Sequence, residues 1–138
     1  MFNNCYTIPG INFAFPDVAL TPIPSPVGPI PIPIPYPNTG INATALPFTT
    51  AMFVFEFFTP AHNVVTTLPM SLGDQPGFLG GITCAPIDMA TQSRVTCSVS
   101  TCMGALPVVR MVDMTLQNLW NSAGLTCSPS QVNTIVLR

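Results

Sequence analysis

The chain contains no lysine, and its only cationic side chains are Arg94, Arg110 and Arg138. Five acids, Asp17, Glu56, Asp74, Asp88 and Asp113, bring the formal net charge to -2, and charged residues fill only 6% of the 138 positions. An ordinary globular domain carries about 25%. Three scattered arginines cannot neutralise a run of phosphates, which excludes nucleic-acid binding. The same scarcity excludes attachment to an anionic membrane through a polybasic face. Charge-rich disorder is excluded by a hydrophobic content of 48% and a mean hydropathy of +0.51. Long apolar runs are missing as well. A membrane-crossing helix needs about 20 such residues. The richest window, Phe48 to Phe58, is shorter, contains Glu56 and lies between Pro47 and Pro60. Met1-Phe2-Asn3-Asn4 lacks the basic opening of a secretory signal, and Pro9 and Gly10 would break the apolar stretch such a signal needs next.

Catalytic signatures are absent too. His62 is the only histidine, and no GxSxG, HExxH or phosphate-binding glycine loop occurs. Gly73-Asp74-Gln75-Pro76-Gly77 lacks the alternating acids of a calcium loop. The expectation is a protein that is not an enzyme, with no catalytic residues and His62 as a satisfied structural histidine. A small metal-dependent enzyme is the remote alternative.

The five cysteines, Cys5, Cys84, Cys97, Cys102 and Cys127, form no CxxC pair. An odd count leaves one unpaired in any disulfide scheme. Cys97 and Cys102 would point to opposite faces of a regular strand. Small buried hydrophobes are the first reading of these residues. A structural zinc, with His62 and a subset of the five cysteines as its soft ligands, is the second, and disulfides are the third.

Proline is what the chain has in excess, with 17 residues. Eight of them fall between Pro22 and Pro37, where Ile30, Ile32, Ile34 and Tyr36 alternate with prolines. Each ring removes a backbone donor and holds the preceding residue extended. A helix is excluded there, and an interior strand is disfavoured. The period-two pattern predicts isoleucines on one face and prolines on the other of a protected sheet edge. A ligand for an aromatic-lined groove is the rival reading. Elsewhere, short alternating segments predict strands: Ile11 to Phe15, broken at Pro16-Asp17; Phe48 to Phe58; Arg94 to Thr101; and Gln131 to Leu137. Turns are expected at Pro9-Gly10, Pro60 to Asn63, Gly73 to Gly77 and Met103-Gly104. Met114 to Ala123 reads as one or two helical turns capped by Gly124. Asn42-Ala43-Thr44 matches a glycosylation sequon by chance. The length fits one domain, 1–138, of all-β class, with a Pro-rich extended segment at 22–37. So uncharged a surface predicts a face covered by a partner. A tight β-domain coated in Thr, Ser, Asn and Gln is the alternative.

The ordered set Asn12-Phe-Ala-Phe-Pro-Asp17, Pro31 to Asn38, Pro60-Ala61-His-Asn63, Ser71-Leu-Gly73-Asp74-Gln-Pro76-Gly77, Gly80-Gly81, Pro107-Val-Val-Arg110, Met114-Thr-Leu-Gln-Asn118 and Pro129-Ser130-Gln131 resembles a PAAR-like domain. No single motif is diagnostic; their order along nearly the whole chain carries the resemblance. It implies a conical β-domain at the tip of a contractile injection machine, mainly type VI secretion. It implies one tip seated on a trimeric VgrG-type spike, effector proteins as further partners, and only transient contact with the target membrane. It also implies assembly in the bacterial cytoplasm, then delivery across the envelope. Asp113 and Arg110 fall in the Pro-x-x-Arg-x-x-Asp stretch, where this chain has Val112 in place of the family's glycine. Gln117 and Ala19 stand where relatives often place metal ligands, so the apical zinc of such tips is not carried over. The chain ends at Arg138 with no appended toxin, so any effector is expected on a separate chain or on the spike. A secreted β-domain binding a glycan or protein through the Pro-rich segment is the alternative from another class.

Overall fold

The computed structural model describes residues 1–7 and 10–137. Pro9 of the expected Pro9-Gly10 turn lies outside them. The described chain is all-β, and its only helices are single 3-10 turns at Asn42–Thr44, Pro47–Thr49 and Gln75–Gly77. Among the described residues, no helix is long and apolar enough to cross a membrane.

A five-stranded antiparallel sheet organises the fold, in the order β2 (Ile30–Ile41), β1 (Ile11–Ile23), β9 (Ser122–Ser128), β8 (Met114–Gln117) and β5 (Ser93–Arg94). Strand β1 is longer than its sequence pattern predicts. It runs through Pro16 and Asp17, and the register slips between Ala14 and Asp17 instead of ending there. A bulge absorbs the proline, which cannot join the hydrogen-bond ladder, and pairing resumes beyond it. The isoleucine–proline run is the outermost strand of the sheet, paired with β1 from Ile30↔Ile23 to Tyr36↔Asp17. Successive N–H groups point to opposite edges of a strand, so prolines at every second position remove donors from one edge only. The sheet therefore ends in a border that cannot template another strand. The isoleucines are less covered than expected: Ile30 and Ile32 are exposed and Ile34 is half-buried.

Two small hairpins complete the described strands: β3 (Ala51–Glu56) with β4 (Thr59–Ala61), and β6 (Cys102–Met103) with β7 (Leu106–Pro107). The expected strand over Phe48 to Phe58 is thus trimmed by a 3-10 turn at Pro47 and closed by a two-residue turn at Phe57-Phe58. The expected turn at Pro60 to Asn63 begins instead with the paired residues of β4.

Three other expectations fail. Met114 to Ala123 is the β8–β9 hairpin and not a helix, because Thr115, Gln117 and Ser122 are needed at period two on the inner face. Of the expected Arg94 to Thr101 strand only Arg94 lies in a strand, β5, which begins one residue earlier at Ser93; beyond it the chain turns through bonds such as Thr101 N to Ser98 Oγ. Gln131 to Leu137 makes one bridge, Ile135 to Phe2, in place of a strand. There Gln131 Oε1 accepts from the backbone of Asn133 and Thr134, which curls the chain.

Burial is inverted relative to an ordinary β-domain. Asn3, Asn12, Asn38, Asn42, Gln92, Thr115, Gln117, Asn118 and Thr126 have no exposed surface. The large apolar side chains Ile11, Phe13, Phe15, Met114 and Leu125 of the same sheet are exposed, while the buried apolar residues are mostly small, with Leu68, Val108, Val109 and Val136 the larger ones. The expected alternative of a Thr, Ser, Asn and Gln coat is thereby reversed, because these residues form the interior.

Candidate functional site

The sheet places its two faces in opposite roles. On β1, Ile11, Phe13 and Phe15 point outward, while Asn12 and Ala14 are buried. Phe13 pairs with Leu125 on β9, and Leu125 pairs with Met114 on β8, so one apolar row crosses three strands. Each of these three side chains is more than 40% exposed. A contiguous exposed apolar row of this kind makes this face a candidate contact surface.

Behind that row, a buried guanidinium holds the inner face together. Arg94 on β5 donates to Asn12 Oδ1 at 3.0 Å, Thr126 Oγ1 at 3.1 Å and Asn42 Oδ1 at 2.7 Å. Asn42 also donates to Ser130 Oγ at 2.9 Å. All of these acceptors are neutral. Burial lowers the Arg94 pKa to about 10, and the charge of Asp113 offsets part of that effect. The interaction fixes strands β1, β5 and β9 in one register through polar contacts, which leaves the apolar side chains for the outside. Asn42 of the sequon is committed to this network and wholly buried.

A second buried cluster gathers family-motif residues from four parts of the chain. Asp17 on β1 accepts from Asn38 on β2 and from Asn118 and Asn121 in the β8–β9 turn. Asn118 also donates to Asp74 Oδ2, and its own Oδ1 accepts from Ala90 N at 3.0 Å. The turn has left-handed φ at Asn118, Leu119 and Trp120 in succession. Only glycine, and sometimes Asn or Asp, visits that region routinely. The side-chain bonds of Asn118 and Asn121 hold the chain there and leave Trp120 exposed. Asp74 pKa is pushed up to about 7, first by burial and then by its contact with Asp88, whose charge adds to the effect, as does that of Asp17. Asp74 Oδ1 has no donor within the fold. Burial likewise raises the thiol of nearby Cys84.

The remaining motif positions lie elsewhere in the fold. Gly73 has φ +140, and a Cβ there would collide with the Pro37 carbonyl oxygen. Gly77 sits against Ala19, and Pro76 lies in the 3-10 turn beside it. Arg110 and Asp113 form an ion pair at 3.3 Å, and Asp113 Oδ2 also accepts from Arg110 N at 2.6 Å. Pro107 ends β7. Pro60 and Ala61 lie on β4. Gln131 donates to Asn3 Oδ1. With Ser130 and Phe57, Gln131 also lines a cleft of about 470 Å³ whose walls are mainly apolar.

The candidate metal ligands are not brought together. Among the described residues, no group of three or more His, Cys, Asp and Glu side chains could hold a metal ion. Cys5 and Cys84 are buried, Cys97 is half-buried, and Cys102 and Cys127 are exposed; all five are free thiols. Cys5 Sγ is bonded to Thr7 Oγ1 at 3.0 Å. The residues present therefore do not fit a structural zinc. His62 is buried edge-on to Tyr6, with ring centroids 5.0 Å apart. It is not satisfied as expected, because neither ring nitrogen has a partner within the fold. Burial, and then the Arg94 charge, hold its pKa well below the usual imidazole range, so the ring is neutral.

The family model for the toxin PAAR-like domain matches residues 10–124. The chain belongs to that family. Within this PAAR-like domain, the matched span covers the five-stranded sheet up to Gly124 and contains the Asp17–Asp74–Asn118 cluster together with Arg94, Asn12 and Asn42. No curated protein and no solved structure matches the chain. The sequence pattern missed Arg94, Asn12, Asn42, Thr126 and Asn121 as organising residues. The signal for Asn12 was its alternation with Ile11 and Phe13 on β1, which identifies two faces without saying which one is inside.

Proposed function

We propose that this PAAR-like domain is a non-enzymatic tip protein that caps the trimeric VgrG-type spike of a type VI secretion or related contractile injection system. The apolar row Phe13–Leu125–Met114 is the observation that carries this reading. It is an uncharged β-surface backed by a polar interior, and it suits the end of a β-structured partner. Covering it stabilises the tip through mass action with the spike. Membership in a toxin-associated family supports effector carriage as a further role. One tip per trimer, assembly in the bacterial cytoplasm and passage across the envelope belong to the same proposal, as does the treatment of 1–138 as one domain.

Phe13→Glu together with Met114→Glu tests the docking face. Both side chains are exposed in the free chain, so the variant should fold. It should fail to co-elute with the spike trimer that binds the unaltered chain. Undiminished co-elution of the double variant would remove this face from the interface.

A further inference from the structure

The first residues of the chain join the fold where three distant segments meet. Asn3 bridges Arg110, Cys5 bridges Ala61 and Asn63 bridges Val108, all antiparallel. These registers set Asn4, His62 and Val109 opposite one another. Their backbones close a circuit: Asn4 N donates to Val109 O at 3.0 Å, His62 N to Asn4 O at 2.8 Å and Val109 N to His62 O at 3.5 Å. Residues directly opposite each other in an antiparallel pair carry their side chains on the same face, and none of the three has any exposed surface. The Asn4 carboxamide and the His62 imidazole therefore share one enclosed space. Val109 is its apolar wall, and Tyr6 stands edge-on to the imidazole.

Both polar side chains in that space lack partners. Neither Nδ2 nor Oδ1 of Asn4, and neither Nδ1 nor Nε2 of His62, bonds to any group of the fold. The backbone N–H groups beside them are committed to the circuit. Buried polar groups in native proteins are hydrogen-bonded, to protein or to ordered water. The inventory of donors and acceptors decides the ligand. A carboxamide offers two N–H groups and a carbonyl oxygen, and a neutral imidazole offers one N–H and one lone pair. A cation needs acceptors and an anion needs donors, each with an opposite charge beside it. Here the set is mixed and uncharged. The Arg94 charge, which reaches the ring, opposes a cation there, and a ring held neutral cannot donate from both nitrogens to an anion. A small neutral molecule that both donates and accepts is the match.

We propose that Asn4 and His62 bind an internal water molecule that bridges the carboxamide to a ring nitrogen. Waters of this kind take two to four bonds from buried polar groups and are part of the structure they complete. This one joins segments that are otherwise paired through isolated bridges. It fixes the N-terminal residues against the chain that follows β4 and against Val108 to Arg110. The site is complete in the isolated chain and does not depend on spike capping.

A crystal structure of the chain at atomic resolution tests this directly. One water is expected within about 2.7–3.2 Å of both an Asn4 side-chain atom and a His62 ring nitrogen. A direct Asn4–His62 hydrogen bond, a dry contact between the two, or anomalous scattering from a metal at that point overturns the proposal. Magnetic relaxation dispersion of the water nuclei gives the readout in solution, because it counts long-lived internal waters. His62→Gln keeps a donor and an acceptor and should retain the parent's count. His62→Phe removes both and should lower the count by one water. A parent with no long-lived water, or a folded His62→Phe variant with an unchanged count, also overturns the proposal. The two measurements on the parent decide the matter whether or not His62→Phe folds.

Discussion

Replacing Asp74 by Asn should make the protein more stable at neutral and alkaline pH, and the gain should vanish in acid. In the fold, Asp74 pKa rises from 3.8 to about 7 because the carboxyl is buried against Asp88. Between about pH 4 and 7 the unfolded chain has released this proton and the folded chain still holds it. Stability therefore falls as pH rises through that window and is constant above it. About three units at 1.36 kcal/mol each set a ceiling of about 4 kcal/mol. Asp88 is only half-buried, and solvent screening reduces the expected effect to about 1–2 kcal/mol. Asparagine keeps an acceptor for Asn118 and offers an amide donor to Asp88, so the substitution relieves the repulsion without emptying the site. At about pH 8 the variant should melt roughly 4–8 °C above the parent. At about pH 4 no such charge-relief gain should remain. Calorimetric melts of both proteins across this range measure the difference, from which the titration of His62 cancels. A variant less stable than the parent at pH 8, or a gap independent of pH, would refute the reasoning.

His62 acts with the opposite sign. Its folded pKa is depressed, so below about pH 6.5 only the unfolded chain takes up the proton and stability is lost as pH falls. His62→Phe should flatten that acid limb in urea titrations; an unchanged slope would show that the ring is not buried neutral. Arg94→Ala leaves Asn12, Asn42 and Thr126 without their shared donor and should cost about 3 kcal/mol or more, read as a lower urea midpoint. Gly73→Ala, in a left-handed backbone against Pro37, should lose about 2 kcal/mol, and a neutral result would show that the loop can move aside. A strong chelator should leave the melting temperature unchanged; a drop of several degrees would reveal a metal site that the dispersed cysteines do not form.

The all-β class and the protected proline edge were legible because both follow from local chemistry. Prolines at alternate positions remove donors from one edge wherever the strand lies. The β8–β9 hairpin was not legible. Met114 to Ala123 has few β-branched residues, and its turn is held by the side chains of Asn118 and Asn121 bonding to an aspartate about a hundred residues earlier. The membership of Asp17, Asp74 and Asn118 in one cluster was likewise hidden. Their ordered motifs identified the family, but only the folded register brings them together. The inversion of the faces was hidden for a related reason. Alternation of Asn12 with Phe13 predicts a two-faced strand, and the ordinary expectation puts phenylalanine inside. A buried Arg94, with three polar partners contributed by distant segments, reverses that choice. Scarce charge predicts a partner-covered face without saying where it would lie; the exposed apolar row across β1, β9 and β8 emerges only once the strands are paired.

The mass of the complex between this chain and its spike under native conditions bears most directly on the central claim. One chain per spike trimer is expected, with the complex lost when Phe13 and Met114 are both replaced by Glu. Three chains per trimer, or no complex at all with an intact trimer, would contradict it.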